Sequence, residues 1–159
     1  MKKLFCGLFL AVIVAVGVAS IASADTMSSG ATTGAAMTPT IITADQLKWT
    51  PCQGLNGCNM AVLWGDPNNK TGAIYVVRLK LDDGTKVPVH WHTDSERVTV
   101  LSGTLLFAAG HKIDQAKTTA LGPGSFIFVP ANMHHYAIAK GETILQIAGN
   151  GPMTMNLMK

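Results

Sequence analysis

Residues 84–103 read GTKVPVHWHTDSERVTVLSG, and the histidines and glutamate of this stretch decide the prediction of the fold. His90 and His92 lie two residues apart in a strand-like segment, and side chains two apart point to the same face of a β-sheet. Glu96 and then Val98 keep that parity. We therefore expect one face to carry two imidazoles and a carboxylate and to continue into an apolar interior. Such a set is typical of the ligands of a divalent metal ion.

A third imidazole is available from a distant segment of the chain. His134 and His135 follow a turn-like segment, residues 130–133, and only one of two adjacent strand residues can face inward. On the His135 face the next residues are small alanines, whereas on the His134 face they are Tyr136 and Ile138. Parity favours His135, and His134 remains the alternative.

The sequence from residue 59 onward is typical of short strands separated by turn residues. Glycine, proline and aspartate recur between the apolar runs, and this regular spacing predicts an all-β sandwich or barrel. The predicted strands are 59–64, 73–81, 86–92, 97–101, 104–109, 125–129, 134–139, 143–148 and 152–157. Before them, residues 43–47 (TADQL) are expected to form one capped helical turn.

The two histidine clusters resemble the two sequence motifs of the cupin family. The first motif is matched by Gly84-x5-His90-x-His92-x3-Glu96-x6-Gly103, and the second by Gly124-x5-Pro130-x-Asn132-x2-His135. The segment between them is 20 residues long. Asn132 stands in place of the usual glycine. Asparagine, like glycine, tolerates turn geometry. Ala139 stands in place of the usual asparagine, which removes a polar group near the site.

The resemblance implies a single jelly-roll β-barrel, also called a double-stranded β-helix. Within it one divalent transition metal, Mn, Fe, Ni, Cu or Zn, would be bound by His90, His92, Glu96 and His135. Imidazole and carboxylate ligands do not choose among these ions. The alternative is a vestigial barrel that binds no metal.

Other residues are expected to support this site. Gln146 is polar within an apolar run and could hydrogen-bond a metal-bound water or a substrate; the alternative is a solvent-facing position. Apolar residues are expected to keep the cavity dry: Val98, Val100, Phe126 and Phe128.

Function is not fixed by such a barrel, because the fold serves many activities. The first hypothesis is a metal-dependent dioxygenase or related oxidoreductase that acts on a small organic molecule, with Glu96 as a catalytic base. The second is a non-catalytic periplasmic module that binds or senses a metal or small ligand. No arginine has a suitable parity to clamp a substrate carboxylate. The resemblance also implies a homodimer.

The first residues predict export. Lys2 and Lys3 precede an apolar run, residues 4–18, and Ala22-Ser23-Ala24 is a typical cleavage site, so residues 1–24 are predicted to be a signal peptide. The alternative is an uncleaved anchor. Residues 25–40 are small and polar and are expected to be a disordered leader, followed by the barrel domain over 41–159. The mature chain would be periplasmic or extracellular.

Charge excludes two classes of partner. The formal charge of +3 falls to +1 when the two lysines of the signal peptide are removed, and no dense Lys/Arg cluster remains. We therefore expect no nucleic-acid partner and no stable membrane anchor after cleavage.

Cys52 and Cys58 are the cysteines that remain after cleavage. An oxidising compartment lets a disulfide persist, and the glycines between the two residues let the loop turn back. A disulfide is therefore predicted, with free thiols or a metal site as the alternatives. A loop this short would contribute roughly 2 kcal/mol by loop entropy.

Overall fold

The fold is that of a computed structural model, which describes residues 38–158. The chain divides between Pro39 and Thr40, and every strand given below lies in the second unit, Thr40–Lys159. The predicted signal peptide and residues 25–37 of the predicted leader lie outside the described residues. Within the described range, no helix is long and apolar enough to cross a membrane.

The described residues form antiparallel strands that join into one curled sheet. The strands are β1 (Thr50–Pro51), β2 (Cys58–Trp64), β3 (Ile74–Leu81), β4 (Lys86–Trp91), β5 (Glu96–Ala109), β6 (Thr119–Leu121), β7 (Phe126–Val129), β8 (His135–Asn150) and β9 (Asn156–Leu157). Two single turns of 3-10 helix, Ala44–Gln46 and Gln115–Lys117, complete the regular structure. The all-β prediction is confirmed, and the expected turn near residue 44 is present.

The longest strands, β5 and β8, lie side by side along almost their whole length. The sequence predicted each of them as two strands, broken near Gly103 and Gly141, but the structure continues through both glycines. Both glycines have a φ of +74°, which a residue with a Cβ rarely adopts. A Cβ at Gly103 would lie 2.2 Å from the carbonyl oxygen of Glu142. The glycines therefore bend the paired strands rather than end them, and the bend curls the sheet.

Strand β8 organises the sheet because it has neighbours on both sides. Residues 143–150 pair with β3, and residues 135–138 pair with β4, while β5 runs along the opposite edge. The first residue of β8 thus lies beside β4. This pairing brings two distant parts of the sequence together at one end of the curled sheet.

Alternating residues of these strands separate an apolar interior from a polar exterior. Val77, Leu81 and Val100 are fully buried. Arg78 pairs directly with Gln146, and both are only partly buried. A sheet with one packed and one wet face produces this alternation.

The disulfide predicted from the sequence is present. Cys52 and Cys58 are joined by an S–S bond of 2.07 Å, and Cys52 N–H donates a hydrogen bond of 2.9 Å to the carbonyl of Cys58. Cys58 is buried at the start of β2. The bridge therefore fixes the loop 52–58 to the edge of the sheet.

Candidate metal centre

His90 and His135 face each other across two neighbouring strands. His90 lies near the end of β4, and its Cα is the direct partner of the Cα of His135, the first residue of β8. Side chains of directly opposed residues lie on the same face of a sheet and within contact distance. His92 follows β4 by one residue and has the same parity as His90. All three imidazoles are buried, with exposed fractions of 4–7%.

The three rings form one compact cluster. The ring centroids of His90 and His135 are 4.2 Å apart, those of His90 and His92 are 4.7 Å apart, and those of His92 and His135 are 5.1 Å apart. One nitrogen of each ring lies within 4.8 Å of one nitrogen of each of the others. A single metal ion can therefore reach all three side chains.

Backbone carbonyls orient each of the three rings. The Nδ1 atom of His90 lies 2.7 Å from the Pro88 carbonyl, and that of His135 lies 2.9 Å from the Met133 carbonyl. Nδ1 of His92 is bonded to the Thr154 carbonyl. A carbonyl only accepts, so in each pair Nδ1–H is the donor and Nε2 keeps its lone pair. Metal-binding histidines typically donate their other ring N–H in this way.

Glu96 adds a carboxylate to the cluster. It is the first residue of β5, it is 5% exposed, and its Oε2 lies 3.2 Å from Nε2 of His92. The two atoms are within ion-pair distance, but their geometry is not that of a hydrogen bond. Within the described residues, Nε2 of His92 is thus a buried nitrogen without a hydrogen-bond partner. The compact group of three nitrogens does not include Glu96. Glu96 joins the cluster through His92.

Burial keeps two of the imidazoles neutral. It lowers the pKa of His90 to about 4, with a further contribution from the neighbouring His135. Burial also lowers the pKa of His135. For His92, burial lowers the pKa, but the contact with Glu96 and the Thr154 carbonyl outweigh burial, so the pKa is raised. Neutral imidazoles are the form that binds a metal, so His90 and His135 need not lose a proton near neutral pH.

The cluster lies in the wall of a cavity of about 220 Å³. Aliphatic side chains from β2, β3, β5, β7 and β8 form most of the remaining wall, among them Leu79, Val98 and Ile147. The disulfide Cys52–Cys58 also lines it. The arrangement is an apolar chamber with a small group of convergent polar side chains, as expected for a small-molecule site.

Near the C-terminus, the segment from Pro152 to Met155, which we call the strap, crosses this cavity. Met153 and Met155 line the chamber, while the carbonyl of the intervening Thr154 orients His92. Met153 N–H bonds the Pro67 carbonyl, and Thr154 Oγ1 accepts from Thr93 N–H at 3.2 Å. The sequence pattern predicts only a strand over 152–157 and gives no connection between this segment and His92. The bond is made by a backbone carbonyl, which no residue type signals.

His134 lies outside the cluster. Its ring is 4.4 Å from the exposed ring of His111 and 6.4 Å from that of Trp91. The structure therefore brings His135, and not His134, to His90 and His92. Parity gave the same preference, because adjacent residues of an extended segment point to opposite faces of the sheet.

Gln146 is not brought to the histidines. Its Oε1 accepts a hydrogen bond of 3.4 Å from Arg78 Nε on the outer face, whereas its neighbours Leu145 and Ile147 line the cavity. The proposed supporting role at the metal is therefore not supported by its position. The solvent-facing alternative considered above describes the position that Gln146 takes.

The structure corrects the expected position of two phenylalanines. Phe126 and Phe128 are 61% and 52% exposed, so the expectation that they line the cavity is wrong. Ile127 and Val129, which have the opposite parity on β7, line it instead. Val98 does line the cavity, and Val100 is fully buried in the core.

Comparison with known proteins agrees with this geometry. The family profile described as "Cupin domain" matches residues 77–148, which include all four predicted ligands. No curated protein matches the sequence.

Several solved structures share the fold. A RmlC-like cupin from Shewanella frigidimarina is 19% identical, with a TM-score of 0.57 over 71% of this chain and 91% of that chain. The polyketide cyclase RemF from Streptomyces resistomycificus is 16% identical, with a TM-score of 0.62 over 77% of this chain and 87% of that chain. KdgF from a Halomonas species is 16% identical, with a TM-score of 0.56 over 72% and 96%. At these identities the likeness shows the fold alone.

Proposed function

Because the chain belongs to the cupin superfamily, we propose that it is an exported metal-dependent dioxygenase or related oxidoreductase acting on a small organic molecule. His90, His92, His135 and Glu96 would hold one divalent ion. The observation that supports the metal centre is the common orientation of the three rings, each donating Nδ1–H to a carbonyl.

The donor set fits such an ion. Three imidazole nitrogens and one carboxylate suit Mn, Fe, Ni, Cu or Zn, and a closed tetrahedral thiolate site is not what these residues offer. The buried Nε2 of His92, which lacks a hydrogen-bond partner among the residues described, would gain one in a ligand bond. A bound ion would polarise a substrate oxygen as a Lewis acid and, if redox-active, exchange electrons with it.

The side chains of the chain itself would perform two further tasks. Glu96 is buried against His92 and can accept a proton at Oε2 from a substrate hydroxyl or enol. Glu96 and the leucines and valines of the wall line one chamber, and this apolar wall would limit the access of water to the reacting group. These tasks fit a reaction that begins with removal of a proton from a hydroxyl, a carbon acid or an enol.

Neighbours of similar fold show how widely the chemistry varies. They include a polyketide cyclase and a DMSP lyase from Ruegeria pomeroyi, neither of which is named as a dioxygenase. The reaction must therefore be argued from the site and measured. Export, for which the supporting residues lie outside the described range, is checked by the intact mass of secreted protein, which should begin at Asp25.

Dioxygen consumption tests the proposed activity. Protein loaded in turn with Mn, Fe, Ni, Cu and Zn is given diketones, flavonols and thiols, and uptake is followed with an oxygen electrode. We expect uptake with at least one pair of metal and substrate, lost in His90→Ala and kept in His134→Ala. Full metal occupancy without uptake for any pair would contradict the oxygenase and favour the non-catalytic binding module.

A further inference from the structure

We propose that the cavity takes a ligand with a single polar end, which lies at the histidines, and an uncharged aliphatic body. This ligand class rests on the metal centre proposed above and narrows the substrate that the centre would act on. Three observations support the inference: the residues of the wall, their neighbours on the outer face and the size of the chamber.

The wall offers charge at one place only. Among the described residues that line the cavity, none is lysine or arginine, and Glu96 is the one carboxylate. Its other buried polar side chains are the three histidines. Gln53 and Asn68 also line the chamber, but both are exposed loop residues. The polar groups available to a buried ligand are therefore gathered at the candidate metal centre.

Cations of the strands that form the wall point away from it. Arg78 bonds Gln146 on the outer face, and the guanidinium of Arg97 lies 5.7 Å from the ring centroid of Phe128. Lys80 lies 5.2 Å from the ring centroid of Trp49. A carboxylate or phosphate on the far end of a ligand would therefore find no cation within the chamber.

Size limits the body of the ligand. The chamber of about 220 Å³ has room for on the order of seven water-sized groups at about 30 Å³ each. Methyl and methylene groups would contact Leu79, Leu145 and Met153 and release water from apolar surface. A second charged group in this space would lose its hydration without gaining a partner, which is strongly unfavourable.

A matched pair of probes tests the ligand class. Hexanohydroxamic acid and adipic acid monohydroxamate have the same chelating head and carbon number, and differ in a terminal methyl group against a carboxylate. Binding to cobalt-loaded protein is followed by the visible spectrum of the metal. We expect the methyl-ended probe to bind at least about 100-fold more tightly. Equal affinity, or tighter binding of the carboxylate, would overturn the proposal.

A designed cation sharpens the test. Met155 lines the cavity and is 39% exposed, so Met155→Lys places an ammonium at its rim without burying it. We expect this variant to reduce the difference between the probes at least about tenfold. Met158→Lys is the matched control, because Met158 is 44% exposed and does not line the cavity. An equal reduction in both variants, or none in Met155→Lys, would overturn the placement of the ligand body.

The proposal and the metal centre can fail separately. Elemental analysis of the same cobalt-loaded samples reports the centre by itself, so absence of bound metal overturns the centre alone. The ligand class is then measured on chelator-treated protein by ligand-observed NMR, with hexan-1-ol against 6-hydroxyhexanoate, which have the same hydroxyl head and differ in a terminal methyl group against a carboxylate. Preference for hexan-1-ol supports an uncharged body, and equal binding of 6-hydroxyhexanoate overturns it.

Discussion

The two faces of the curled sheet are built from the same strands but differ in the polarity and charge of their side chains. On β5, Val98 and Val100 face the interior, whereas the guanidinium of Arg97 lies over the exposed ring of Phe128. On β8, Leu145 and Ile147 line the cavity and Gln146 bonds Arg78 outside. The period of two along a strand thus separates a largely apolar interior from a polar exterior. The candidate metal centre lies on the inner face, where three imidazoles are buried.

The largest effect should come from moving a charge across this divide. Val100→Asp places a carboxylate at a fully buried position with no cation nearby, and we expect it to lower the free energy of unfolding by at least about 4 kcal/mol. Thr99→Asp, one residue away on the partly buried outer face, should lower it by only about 1 kcal/mol, because Asp has a low β-propensity. Urea unfolding measures both. Similar losses in the two variants would show that the faces are not distinct.

Acid should destabilise the metal-free protein through the inner face. Burial lowers the pKa of His90 to about 4 and also lowers that of His135. As pH falls below about 6.5, the pKa of histidine in the unfolded chain, the unfolded chain therefore binds protons before the folded protein does. Their contribution is present above pH 6.5 and is lost as pH falls toward 4. His92, with its raised pKa, acts in the opposite sense: its contribution is present below pH 6.5 and is lost as pH rises through the folded pKa.

We therefore expect chelator-treated protein to lose about 2–3 kcal/mol of unfolding free energy between pH 7 and pH 4. Glu96→Gln should steepen the loss, because His92 would no longer be paired with a carboxylate. Chemical denaturation across this pH range measures it. Constant stability of the wild type would show that the histidines are not buried as described.

Removal of the strap should weaken the metal site. Deletion of residues 152–159 removes the Thr154 carbonyl that orients His92 and also β9, which pairs with β4 at His90, and we expect metal affinity to fall at least about tenfold. Thr154→Ala keeps that carbonyl and should change affinity by less than about threefold. Competition with a chromophoric chelator gives both values. A larger loss in Thr154→Ala than in the deletion would contradict the role of the backbone.

Truncation of an exposed side chain on the outer face should have the smallest effect on stability and metal content. Arg97→Ala removes a cation from the Phe128 ring, which we expect to cost about 0.5–1 kcal/mol at this exposed position. Metal content should be unchanged, because Arg97 does not face the cavity. Thermal unfolding and elemental analysis check the two parts. Loss of metal would show that the outer face takes part in the site.

Local pattern was enough for the parts of the site that lie on one strand or follow strand parity. The positions of His90 and His92 followed from the period of two, and the choice of His135 over His134 followed from the side chains that come after them. Glu96 was expected on the same strand face, but it begins a different strand, β5, after the bend at residues 93–94. Phe126 and Phe128 were misplaced because their strand, β7, is too short to show an alternation from sequence alone. The sequence did not decide whether Gln146 faces inward or outward, because its neighbours on both faces of the strand are apolar. Only its pairing with Arg78 on β3 shows which face it occupies.

Contacts that depend on the backbones of distant segments could not be predicted. The strap meets His92 across 62 residues through a backbone carbonyl, and carbonyls are the same in every residue type. The continuation of β5 and β8 through Gly103 and Gly141 depends on the close approach of the two strands. Glycine alone indicates a turn or a bend with equal strength.

Metal content of two adjacent histidine variants tests the central claim most directly. The wild type, His135→Ala and His134→Ala are purified from the periplasm and compared by elemental analysis at equal protein concentration. The structure predicts about one transition metal ion per chain in the wild type and in His134→Ala, and almost none in His135→Ala. Retention of the metal by His135→Ala, or its loss from His134→Ala, would contradict the account.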